Sequence, residues 1–146
     1  MCYLSISPEG RTRMVNEHAV TALIVLAKRC QPDSPVIALC AQTIQYFSWS
    51  KAAQARVVED GGCKLLVQMT EQTQMTDIWD KEVAKDCAVA FANFSQVEEL
   101  RKVLMKQGII PALRSIVNHH QIQYDMEYIW RVCAAIYHGK PQRLVN

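Results

Sequence analysis

The sequence contains no long apolar run and no strong charge bias, and both absences limit what the protein can do. No stretch approaches the roughly 18–20 apolar residues that cross a membrane, and the opening MCYLSISPEGR lacks the basic-then-apolar order of a secretory signal. The 16 Lys and Arg residues nearly balance the 14 Asp and Glu residues. Domains that bind nucleic acid usually carry clustered basic residues. We therefore expect an intracellular protein, cytoplasmic rather than nuclear, without membrane insertion and without nucleic acid as its main ligand.

Motifs that build catalytic and cofactor sites are also missing. The sequence has no GxxxxGK[ST] phosphate loop, no GxGxxG dinucleotide motif and no GxSxG nucleophile elbow. Its six cysteines lie 10 to 46 residues apart, so none forms the CxxC pair of a metal or redox site. His119 and His120 are adjacent, and adjacent helical residues point about 100° apart, which does not suit chelation of one ion. We predict no enzymatic activity, no metal site and no cofactor.

What the sequence does contain is an internal repeat. Three similar triplets mark it: Tyr3-Leu4-Ser5, Tyr46-Phe47-Ser48 and Asn93-Phe94-Ser95. Each serine is followed 13 residues later by a turn residue, which is His18, Gly61 or Gly108. The strings around these residues share one apolar pattern: MVNEHAVTALIVL, VVEDGGCKLLVQM and LMKQGIIPALRSI. Self-similarity at spacings of 43 and 47 residues is typical of a helical solenoid.

Each unit is predicted to contain three helices. Apolar residues recur every three or four positions, and the turn residues end the first helix of each unit. The predicted helices are 11–17, 20–29, 36–48, 51–60, 63–71, 79–95, 97–106, 110–119 and 124–138. The units themselves are 9–50, 51–95 and 96–139, with the tail of a preceding unit at 1–8 and a candidate start of another at 140–146. His18 stands where the other units have glycine, so its turn is expected to be strained.

The repeat register also predicts the core. Ile44, Phe91 and Ile136 align on the third helices. A second set, Leu26, Met69 and Ile116, aligns on the second helices. Cys40 and Cys87 occupy equivalent positions within an apolar stripe, where a free cysteine behaves as a small hydrophobe. We therefore expect all six cysteines to be unpaired thiols in a reducing compartment.

These patterns resemble a known family of repeats. The arrangements VVEDGGCKLLVQM … EVAKDCAVAFANFS and LMKQGIIPALRSI … YIWRVCAAIYH are similar to armadillo repeats, and the resemblance covers nearly the whole chain. HEAT repeats fit less well, because a glycine between the first and second helices is typical of armadillo repeats. The resemblance implies an all-α fold, a right-handed α-solenoid of three-helix armadillo-type repeats, and it implies that the chain is a fragment of a longer array.

The resemblance also implies a binding surface. In armadillo proteins the third helices line a concave groove that grips extended peptides of partner proteins, and an Asn of those helices clamps the peptide backbone. Asn93 matches that position, whereas Tyr3, Tyr46 and His138 occupy it in the other copies. Nuclear-import adaptors have a Trp one turn earlier. That position holds Gln42, Val89 and Ala134 here, which argues against a reader of nuclear localisation signals.

Residues one and two turns before these positions complete the expected groove. They are Ala38 and Leu39 in the first unit, Lys85 and Asp86 in the second, and Trp130 and Arg131 in the third. A groove of mixed charge with aromatic rings suits an extended peptide or a partner helix. The sequence therefore predicts a non-enzymatic protein-interaction scaffold. The alternative is a structural spacer or assembly subunit of a larger complex, for example a cytoskeletal or axonemal one, without a peptide groove of its own. Neither hypothesis specifies the partner or the oligomeric state.

Overall fold

A computed structural model describes residues 7–72, 78–119 and 134 of the chain. Within these residues the structure is all-α and contains no strand, which confirms the predicted class for this part of the protein. The helices are α1 (Pro8–Asn16), α2 (Ala19–Arg29), α3 (Pro35–Phe47), α4 (Gln54–Glu59), α5 (Gly62–Gln72), α6 (Ile78–Ser95), α7 (Glu98–Lys106) and α8 (Ile109–His119). The ninth predicted helix, 124–138, lies outside the described residues except for Ala134, which is helical and half-buried. None of the described helices is both long and apolar enough to cross a membrane.

Local capping explains where α1 and α3 begin. The Ser34 hydroxyl accepts a hydrogen bond from the Val36 N–H at 3.2 Å, and Pro35 occupies the first turn of α3, as the sequence predicts. The same combination starts α1 at Pro8, three residues earlier than predicted, because Ser7 caps that helix. By contrast, α4 is shorter than the predicted helix 51–60, because residues 51–53 form a turn instead.

The turns between first and second helices are alike in all three units. His18, Gly61 and Gly108 have φ angles of 65°, 96° and 93°, in the left-handed region. In each case the N–H group bonds the carbonyl oxygen three residues earlier, at 3.1–3.2 Å. A side chain crowds the backbone in this conformation, so glycine is favoured there and a non-glycine is strained. The structure thus confirms the conformation predicted for His18.

Replacing His18 by glycine is expected to stabilise the protein. The substitution relieves the strain of the left-handed conformation, and we expect a gain of about 0.5–1 kcal/mol in the free energy of unfolding, measured by urea denaturation. The matched control is Gly108→Ala, which should lose about as much. A β-carbon at Gly108 would find its nearest neighbour at 3.7 Å, so only the backbone strain acts there. A His18→Gly variant less stable than the original chain would contradict this prediction.

The helices pack by position within the repeat. Third helix α3 packs along third helix α6, and second helix α5 contacts both α2 and α8. A continuous apolar core lies between these elements, and the side chains of Ile44, Phe91 and Phe94 are fully buried in it. The core prediction for Ile44 and Phe91 is therefore confirmed, while Ile136 lies outside the described residues.

One core prediction is wrong. Leu26 is 44% exposed, although its equivalents Met69 and Ile116 are only 2% and 1% exposed. The buried stripe of α2 instead consists of Ala19, Val20, Leu23 and Ala27. The difference in exposure follows from the number of neighbouring helices. Helix α5, which carries Met69, is packed between α2 and α8 and also contacts α4 and α6. Helix α2, which carries Leu26, packs mainly against α1, α3 and α5.

Candidate functional site

The predicted groove residues of the first two units lie on helices that touch each other. Gln42 and Tyr46 are half-buried on α3, and Asn93 is half-buried at the equivalent of Tyr46 on α6. Earlier on α6, Lys85 is exposed and Asp86 is half-buried. The packing of α3 against α6 therefore brings amide, phenol and charged side chains onto neighbouring helices.

Two parts of the predicted groove differ from expectation or are not described. Val89 on α6 and Ala38 on α3 are only 4% and 6% exposed and so offer a partner almost no surface. For Val89 the reason is that α6 contacts α3, α5, α7 and α8 and is buried around most of its circumference. In the third unit, Trp130, Arg131 and His138 lie outside the described residues.

Asn93 forms a link between two units. Its amide nitrogen donates to the Ser48 hydroxyl at 2.9 Å, and Ser48 follows α3 of the preceding unit. The Ser48 hydroxyl in turn donates to the carbonyl oxygen of Gln45. One N–H of the Asn93 amide is therefore engaged within the protein, which leaves its second N–H and its carbonyl oxygen for a ligand.

The C-terminal ends of the third helices are held by side chains of the first helices, an interaction that the sequence analysis missed. Gln54 Nε2 donates to the Ser48 carbonyl at 2.6 Å, and Arg101 Nε donates to the equivalent Ser95 carbonyl at 2.8 Å. Arg11 Nη1 also reaches a third-helix carbonyl, that of Tyr46, at 3.3 Å. The sequence does indicate that these three residues are equivalent, because positions 11, 54 and 101 are separated by the repeat spacings of 43 and 47 residues.

A cavity of about 450 Å³ opens at these helix ends. Its lining residues come from the ends of α3 and α6 and from the start of α4: Ser48, Trp49, Lys51, Gln54, Asn93, Gln96 and Val97. Trp49 is 50% exposed, so an aromatic face is available beside the polar floor. A larger and more open depression of about 600 Å³ lies beside α1, where the ion pair between Arg13 and Glu17 is exposed and of little energetic weight. The smaller cavity contains Asn93 and is the better candidate site.

Cys40, Cys63 and Cys87 are buried core residues. Burial raises the pKa of the Cys40 thiol to about 11 and that of the Cys63 thiol to about 12. Burial also raises the pKa of the Cys87 thiol well above its ordinary value. Cys40 and Cys87 are 1% and 0% exposed, as their equivalent positions predict. Because the thiolate is the reactive form, these groups are poorly suited to act as nucleophiles.

Thiol reactivity provides a direct check. In denaturant without reductant, a thiol reagent should modify all six cysteines. Cys30, Cys40, Cys63 and Cys87 are free in the structure, and the sequence predicts the same for Cys2 and Cys133, which lie outside the described residues. In the native protein at neutral pH, half-buried Cys30 should react ahead of the three buried thiols. Fewer than four modified groups in denaturant would contradict the assignment to a reducing compartment.

The described residues contain no group of three or more His, Cys, Asp and Glu side chains that could hold a metal ion. His119 is the last residue of α8, and His120 lies outside the described part. No protein-family model, curated protein or solved structure matches the chain. A function for this protein therefore rests on its own residues and geometry.

Proposed function

We propose that this chain forms an armadillo-type α-solenoid and serves as a non-enzymatic scaffold that binds an extended peptide or a helix of a partner protein. The partner is expected along the third helices, at the surface that contains Gln42, Tyr46 and Asn93. The observation that carries the proposal is the cavity beside Asn93, which lies where two neighbouring third helices end.

Repeated geometry supports the solenoid part of the proposal. The three left-handed turns recur at the sequence spacing, and like helices of successive units contact each other. Hydrogen bonds at the ends of the third helices also recur: Trp49 N–H bonds the Tyr46 carbonyl at 3.2 Å, and Gln96 N–H bonds the Asn93 carbonyl at 3.3 Å. Stacked units of this kind bury one continuous core and leave a long surface for binding.

The chemistry of the surface supports a polypeptide ligand. An extended peptide presents main-chain N–H and C=O groups, and these pair with amide side chains such as Gln42 and Asn93. Tyr46 and Trp49 add flat amphipathic area, which is common where proteins bind one another. The charges of Lys85 and Asp86 nearby would favour particular partner sequences rather than strengthen every complex equally.

The proposal is tested by selecting peptides from a displayed random library against the purified chain. Calorimetry with a selected peptide should show that Asn93→Ala weakens binding roughly tenfold or more, because a polar group of the peptide loses its partner. The control is Lys102→Ala, an exposed residue of α7, which should leave the affinity unchanged. Circular dichroism checks that both variants keep their helicity. Failure to select any peptide, or equal affinities for the three proteins, would refute the groove.

A second candidate, a structural spacer within a larger assembly, is favoured by the hydrogen bond from Asn93 to Ser48. If this bond between units is the main role of Asn93, then Asn93→Ala, Ser48→Ala and the double variant should lose similar stability, about 1 kcal/mol each. Peptide affinity of the folded protein would be unaffected. Under the scaffold proposal, Ser48→Ala should retain peptide binding while Asn93→Ala should not.

The free cysteines bear on where the protein acts. The four described cysteines are unpaired. Three of them are buried, and their oxidation would disturb the packing around them. Free thiols are kept reduced in the cytosol and nucleus, whereas oxidising compartments favour disulfides. The proposal therefore places the scaffold inside the cell.

A further inference from the structure

The amide of Gln54 is buried with one half unsatisfied. Gln54 is 6% exposed, and its Nε2 lies 2.6 Å from the Ser48 carbonyl oxygen and 3.5 Å from that of Asn93. Both neighbours are acceptors, so the nitrogen must face them, and this fixes the orientation of the amide. The oxygen Oε1 is then directed elsewhere, and no donor for it is found in the described part of the chain.

An orphaned acceptor of this kind is unusual, because native proteins pair nearly all buried polar atoms. Among the described residues Gln107 Oε1 is also unpaired, but Gln107 does not line this cavity. Gln54 belongs to the lining of the 450 Å³ cavity at the ends of α3 and α6. The cavity is within the size range of sites that bind ligands. Oε1 itself is covered from solvent. A donor would approach Oε1 past the exposed side chains of Lys51 and Gln96, which form part of the cavity wall.

Comparison of the units shows that the bond to the third-helix carbonyl does not require glutamine. Arg101 bonds the Ser95 carbonyl at 2.8 Å, as Gln54 bonds that of Ser48, and Arg11 bonds the carbonyl of Tyr46, the counterpart of Asn93, at 3.3 Å. Arginine has only donors, whereas glutamine has donors and an acceptor. At this repeat position, Gln54 of the second unit therefore provides a hydrogen-bond acceptor, whereas Arg11 and Arg101 of the neighbouring units carry a positive charge.

We propose that this cavity binds a main-chain N–H group of an extended polypeptide, which donates its hydrogen bond to Gln54 Oε1. This inference rests on the proposed scaffold function and assigns one contact within it. The donor is a neutral amide rather than an amine or guanidinium. Lys51 lines the cavity and repels cations, and no lining residue is acidic. Trp49, which is half-exposed, packs against the side chain next to the bound N–H group.

The test uses a peptide selected against the intact chain and a set of its analogues, each with one main-chain nitrogen methylated. Methylation removes one N–H donor at a time. With the original protein, one analogue should bind at least roughly tenfold more weakly because its N–H no longer pairs with Gln54. In Gln54→Arg, the unmodified peptide should lose about as much affinity, and methylation at that position should have no further effect.

The variants are chosen to separate binding from folding. Gln54→Arg keeps a donor for the Ser48 carbonyl, as Arg101 does for Ser95, so its helicity and melting temperature should be retained. Gln54→Met, which removes both the donor and the acceptor, should lose the same peptide contact and some stability. If Asn93→Ala weakens binding but Gln54→Arg does not, the inference is wrong and the scaffold function stands. If no peptide binds the original chain, both are refuted.

Discussion

Replacing Phe91 by alanine is expected to lower the free energy of unfolding by about 3–5 kcal/mol. The Phe91 side chain is fully buried on α6, the helix that packs along α3 and contacts α5, α7 and α8. Truncation removes a large apolar surface from the core and leaves a cavity that rigidly packed helices cannot fill. Since small domains are stable by only about 5–15 kcal/mol, this one change would remove much of the total.

Urea denaturation followed by circular dichroism measures the effect. The matched control is Leu39→Ala on α3, because Leu39 is 49% exposed. A surface truncation of this kind should change the free energy of unfolding by no more than about 0.5 kcal/mol. Similar losses in the two variants would mean that the interface between α3 and α6 is not the packed centre of the protein.

The helical repeat was predictable because its marks are local. Gly61 and Gly108 are the residues that adopt a left-handed turn without strain, and both have φ angles near 95°. The apolar spacing then placed Ile44 and Phe91 in the core, where both are fully buried. Leu26 was misassigned because its burial depends on how many helices surround α2, and the periodicity of a helix does not contain that number.

The candidate site was only partly predictable. The resemblance to armadillo repeats singled out Asn93, but its partner Ser48 is 45 residues away and is brought to it only by the packing of α3 against α6. The burial of Val89 was likewise not predictable from the sequence pattern, since it comes from the helices that pack around α6. The bond from Gln54 to a third-helix carbonyl was predictable in principle, because Arg11 and Arg101 stand at the same repeat position. The apolar pattern of the units does not reveal this bond, since the three residues are polar.

Replacing Gly62 by alanine is expected to destabilise the protein, although the same change inside a helix normally stabilises it by about 1 kcal/mol. Gly62 begins α5, and a β-carbon built on it would lie 2.6 Å from Val57 Cγ1 and 2.9 Å from the Val57 carbonyl oxygen. Contacts this short force α4 and α5 apart. Overpacking of a tight contact typically costs about 1–3 kcal/mol, which outweighs the gain in helix propensity.

The neighbouring units suggest how room for a β-carbon at position 62 could be made beside residue 57. At the positions of Val57 and Gly62, the first unit has Met14 and Ala19, and the third has Leu104 and Ile109. Both units combine a side chain unbranched at Cβ with a residue larger than glycine. The double variant Val57→Met/Gly62→Ala should therefore recover at least half of the stability that Gly62→Ala loses, because it recreates the pair of the first unit. Urea denaturation of both single variants and the double variant measures this coupling. Additive losses would show that the Val57 carbonyl, rather than its branched side chain, excludes a β-carbon at position 62.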